Sequence, residues 1–183
     1  MLKVATCFAI LWIAGSVHQD WNRANAATIR LDPFAIQDLP GSIQRDLVRR
    51  GCTVPQTYAS KSPHNVIRGR LTSSSRQDVA VLCSKAQVSR ILVFRGGATS
   101  SVVELASRPD STYLQTIGDG EIGFSRFLGV ADAEYILEHY RRYGGTPPPT
   151  PLDHDGLTDA FIEKGSVVWY FYKGRWLQLT GSD

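Results

Sequence analysis

Thiols, histidines and surplus charge are all scarce in this chain of 183 residues. Three cysteines and four histidines leave little for a zinc site, which needs three or four N, S or O ligands. Neither an HExxH motif nor a CxxC pair is present, and no glycine-rich loop is built for phosphate; Arg95-Gly96-Gly97 is a turn signal. The formal net charge of +3 is too small to mark a nucleic-acid or anionic-membrane partner. Arg49-Arg50 and Arg141-Arg142 are pairs, not a basic stripe, and suit solvated helix ends. A long hydrophobic run is also missing. The most apolar stretch, Val4 to Gly15, falls short of the ~20 residues that span a bilayer as a helix, so no transmembrane span is expected in the mature chain.

The N terminus itself fits a secretory leader. MLKVATCFAILWIAGS supplies one lysine and then an apolar core, and Ala24-Asn25-Ala26 offers small residues for cleavage. The reading is a signal peptide over residues 1–26 and a single exported domain over 27–183, periplasmic or secreted. The stretch from Ser16 to Ala26 is long for a leader's polar end and contains Trp21, so retention as an N-terminal anchor is the alternative. Cleavage removes Lys3, Arg23 and Asp20, lowering the net charge from +3 to +2, and leaves Cys52 and Cys83 as the only thiols. Export favours a disulfide between them, which the chain-entropy model values at roughly 3–4 kcal/mol. Two buried free thiols are the alternative.

The mature chain reads as α+β: mostly antiparallel sheet with two short helices and a C-terminal hairpin. LPGSIQRDLVRRG predicts the first helix, with Pro40 in its first turn, Gly51 as its C-terminal cap, and Leu39, Ile43 and Leu47 on one face. Strands are predicted at Asn65–Leu71, Val79–Cys83, Ile91–Phe94, Val102–Leu105, Tyr113–Ile117 and Gly123–Leu128, with Asp119-Gly120 as a tight turn. ADAEYILEHYRRYGG predicts the second helix, whose Tyr135, Ile136, His139, Tyr140 and Tyr143 recur at helical spacing and so form a buried face. TPPPTP follows as a stiff connector. DAFIE, SVVWYFYK and RWLQL close the chain, turning at Lys173-Gly174, with Trp169, Phe171, Trp176 and Leu179 in the core.

One stretch has the pattern of a calcium loop. In PLDHDGLTDAF, Asp153, Asp155 and Asp159 are spaced to turn oxygen ligands onto one point, Gly156 permits the chain reversal, and the Leu157 carbonyl is a further ligand. Pro151 occupies the leading ligand place and cannot serve through its side chain; Glu163 is the residue available to replace it. The spacing resembles the loop of FG-GAP or VCBS repeats, the blades of integrin-α-type propellers, where the last aspartate opens an apolar strand. GRLTSSSRQDVAVL resembles a second copy, with Gly69, Leu71 and Asp78 in place but Arg70, Thr72 and Ser74 at the earlier ligand positions. Two copies cannot close a propeller, which takes about four blades or more. The layout RRGC, VLC, DHDG, EK and GRWLQLTGSD looks like an uncharacterised group of secreted bacterial proteins, a likeness that implies export and no activity. Without a metal, the same aspartates make a hydrogen-bonded turn.

Catalytic sets are incomplete. Gly123-Phe124-Ser125-Arg126-Phe127 resembles the first half of a nucleophile elbow, with Phe127 in place of the second glycine, so Ser125 reads as a strand residue. Of the mature chain's His64, His139 and His154, the last, beside Asp153 and Asp155, is the best zinc candidate, with His139 placed to reach it after the proline connector; a core or surface histidine is the alternative. Glu104, Glu121, Glu134 and Glu138 offer carboxylate pairs without a way to choose one. The expectation is a non-catalytic exported binding or envelope-associated module with a calcium loop, its partner another exported protein or a glycan. The alternative is a periplasmic hydrolase with its site near Asp153, His154 and Asp155.

Overall fold

The computed structural model describes residues 20–182. Two four-stranded antiparallel meanders carry the architecture. β3 (Val66–Gly69), β4 (Asp78–Lys85), β5 (Val88–Phe94) and β6 (Val102–Pro109) form the first, in chain order. β9 (Arg126–Ala131), β10 (Gly156–Phe161), β11 (Gly165–Tyr172) and β12 (Arg175–Ser182) form the second in the same way. Two short ladders complete the strands: β1 (Arg30–Leu31) with β2 (Val54–Pro55), and β7 (Leu114–Gly118) with β8 (Glu121–Phe124). The helices are α1 (residues 20–27), α2 (Gly41–Arg50) and α3 (Ala133–Tyr143).

Side-chain alternation along β4 and β5 sets the layers, since successive residues of a strand point to opposite faces. Val79, Val81, Leu92 and Phe94 share one apolar cluster with Ile43 and Leu47 of α2. Ala80, Leu82, Ile91 and Val93, on the opposite face, share another with Leu128, Leu157 and Trp169 of the second meander. Both faces of β4 are therefore covered, and it is buried from Asp78 to Ser84. Beyond the second meander, Ile136 of α3 packs with Ala131, Val168, Tyr170 and Leu179. The order is helix, sheet, sheet, helix.

The α+β expectation holds, with differences that have local causes. Pro40 sits just before α2 as its N-cap, while Gly51 closes the helix at φ 75°, donating its N–H to the carbonyls of Leu47 and Val48. The Cys52–Cys83 disulfide forms and ties the end of α2 to β4. The predicted strand Gly123–Leu128 is two strands in different sheets, broken at Ser125, whose N–H turns aside to the Tyr113 carbonyl. A third helix, α1, runs over residues 20–27, all but the last of which were expected in the leader; residues 1–19 of that leader lie outside the described residues.

Candidate functional site

The aspartate loop ends one residue after Asp155. β10 begins at Gly156, and from there the period of two sends Leu157 and Asp159 to the face that meets the first meander. Leu157 is fully buried and paired with Val130 and Trp169. Asp159 accepts from Nε and Nη2 of Arg126, both at 2.8 Å. Arg126 is itself completely buried, and its remaining N–H groups reach the Ser89 carbonyl and hydroxyl and the Ala106 carbonyl, so all five donors are used. Its guanidinium lies 4.5 Å from the Tyr113 ring centre.

The other two carboxylates are engaged elsewhere. Asp155 accepts from the Arg70 backbone N–H at 2.8 Å and returns its own N–H to the Arg70 carbonyl at 2.9 Å, tying the connector to the loop after β3. Asp153 and the Tyr170 hydroxyl meet at 3.3 Å. The carboxylates of Asp153, Asp155 and Asp159, expected with the Leu157 carbonyl as calcium ligands, thus have three different sets of partners. Among the described residues, no three His, Cys, Asp or Glu side chains are grouped to hold a metal ion. The second copy is also closed by hydrogen bonds. Asp78 does open β4 as the pattern requires, but it accepts from the N–H and hydroxyl of Thr72 at 2.8 and 2.7 Å and from the Gly96 N–H at 2.6 Å.

Several residues weighed for catalysis have partners within the fold. His154 stacks on Tyr170, centroids 4.4 Å apart and nearly parallel, with Nδ1 2.9 Å from the Asp155 carbonyl. Burial pushes the Tyr170 phenol above its ordinary pKa. Ser125 is fully buried and its hydroxyl is bonded to the Gly123 carbonyl. His64 accepts the Thr57 N–H at Nε2, which places its own proton on Nδ1, facing the Ser62 carbonyl. Glu104 pairs with Arg90 across the sheet surface.

A groove of about 640 Å³ lies instead between α3 and the outer face of β9 and β10. It exists because α3 covers only part of that face and the uncovered strand residues are small. Gly129, Thr158 and Ala160 form the floor. A Cβ at Gly129 would come within 2.8 Å of Thr158 Cγ2, so no larger residue fits without displacing that neighbour. The helix wall is an aromatic ladder at four-residue steps: Tyr135, His139 and Tyr143, with the His139 ring 5.6 Å from the first and 4.9 Å from the second. Phe127 faces it across the groove, and Glu163 and Lys164 close one end.

This wall departs from the expected buried face. Ile136 and His139 are buried, but Tyr135 is 39% and Tyr143 49% exposed. Two polar atoms of residues that line the groove, His139 Nδ1 and Thr158 Oγ1, are buried beneath its surface and have no hydrogen-bond partner among the described residues. Such atoms are costly to leave unpaired. His139 Nε2 is 3.0 Å from the Ser166 hydroxyl. Burial, aided by the Arg142 charge, holds its imidazole below the ordinary pKa of 6.5. Arg142 pairs with Glu138 one turn away, so both signs of charge border the groove. The helical period of the tyrosines was readable in the sequence; that the strands beneath are too small to meet them was not.

No protein-family model, curated protein or solved structure matches this chain.

Proposed function

We propose that the chain is a non-catalytic binding module of the cell envelope or its exterior, and that the groove under α3 holds a segment of glycan. The carrying observation is the pairing of exposed aromatic rings with charged side chains of both signs along one concave surface. Sugars present apolar faces that stack on rings and hydroxyls that both donate and accept. Tyr135 and Tyr143 supply the rings, and Glu138, Arg142, Glu163 and Lys164 supply hydrogen bonds to sugar hydroxyls along the polar rim. The volume lies within the range of roughly 300–1,000 Å³ common for small-ligand sites. The Cys52–Cys83 bridge fits an oxidising compartment. The Asp153–Asp159 segment enters this reading as a strut between sheets, not as an ion site.

The test is calorimetric titration with oligosaccharides from envelope polysaccharides, comparing the unaltered chain with Tyr143→Ala and Tyr135→Ala. Binding that weakens at least tenfold in both variants supports the reading. Affinity unchanged in both places the ligand elsewhere.

One observation favours a second reading. The 3.0 Å contact between Ser166 Oγ and a neutral His139 is the first half of a nucleophile–base pair. The hydrolase would then be centred on Ser166 and not on His154. Against it, His139 Nδ1 has no orienting carboxylate among the described residues, as a triad requires. A fluorophosphonate probe that labels the chain, and fails to label Ser166→Ala, would establish this reading in place of the first.

A further inference from the structure

We propose that the export leader is cut after Ser16, so that α1 is a permanent part of the mature domain. Between Ala14 and Ala27, only two frames carry alanine, glycine or serine at both the −3 and −1 positions of a cleavage site: Ala14/Ser16 and Ala24/Ala26. The fold distinguishes them. Trp21 and Ala24 pack against the cluster between the two meanders. Asn25 is 7% exposed, and its amide donates to Gln87 Oε1 at 2.8 Å on the turn between β4 and β5.

Arg30 ties the helix to a buried charge. Its Nε and Nη2 donate to Asp110 Oδ2 at 3.2 and 2.7 Å, and Asp110 is completely buried. The rest of the guanidinium is taken by the end of α1: Nη1 by the carbonyls of Asn25 and Thr28, Nη2 by Asn25 Oδ1. A cut after Ala26 removes both Asn25 acceptors and places a new ammonium group at Ala27, three residues from Arg30. A cut after Ser16 follows directly on the apolar run, leaves every one of these contacts in place, and removes the long polar end that the other frame requires.

The proposal rests on export of the chain, and its test separates the two. The full chain is expressed in a bacterium, fractionated, and read by intact mass and N-terminal sequencing. The expected N terminus is Val17. A start at Ala27 overturns the placement and leaves export standing; an uncut Met1 chain in the cytoplasm overturns both, and an uncut chain in the envelope overturns the placement.

Two variants sharpen the outcome. Ser16→Leu is expected to block processing, and Ala26→Leu, at an exposed position, to leave it unchanged; the reverse pattern refutes the proposal. Residues 27–183 made alone should melt several degrees below residues 17–183, and equal midpoints would show that α1 contributes nothing to the domain.

Discussion

Arg126 and Asp159 show how one side chain can change the meaning of a motif. The pair is buried, bidentate and hydrogen-bonded at every remaining donor, so removing one partner strands the other. Asp159→Ala should therefore cost about 3–5 kcal/mol in urea unfolding. The loss should be the same in calcium and in chelator, because the carboxylate acts on a guanidinium. The sequence reads Asp159 as the residue that opens the strand DAFIE, whereas it lies inside β10, which starts at Gly156, and spacing could not reveal Arg126, 33 positions earlier, as its partner. Thr158 gives the complementary case. Its hydroxyl is buried and has no partner among the described residues, so Thr158→Val should leave stability the same or raise it by up to about 1 kcal/mol.

At the scale of elements, α2 and α3 are tied down by different means. The end of α2 is held to β4 by the disulfide, which closes a loop of 31-residue separation. Its reduction should lower stability by roughly 3–4 kcal/mol, read as a drop in thermal midpoint on adding reductant. Helix α3 is held by Ile136 and by His139, and its stability should depend on pH. His139 is held below 6.5 by burial and by Arg142, and His64 by burial alone against the opposing Ser62 carbonyl. In the window below 6.5 the unfolded chain binds more protons than the folded one. Stability is therefore full above about pH 6.5 and falls as the pH drops through that window. Urea midpoints from about pH 7.5 to about pH 5 should show this loss, reduced in His139→Asn.

For the molecule as a whole, the class and most strands were legible because short β-branched runs and turn dipeptides are local signals. Asp119-Gly120 and Lys173-Gly174 both form hairpin turns, and Gly51 caps α2 as expected. The layering was not legible. It depends on which face of each meander meets a helix, and β4 is apolar on both faces. The groove follows from that layering, since it opens only where α3 stops short of Gly129, Thr158 and Ala160. A nuclear magnetic resonance titration of the oxidised chain with envelope oligosaccharides tests the glycan assignment most directly. The account predicts amide shifts confined to α3, β9, β10 and the turn from Phe161 to Ser166, abolished in Tyr143→Ala. Shifts mapping to another face, or none with any of these sugars, would contradict it.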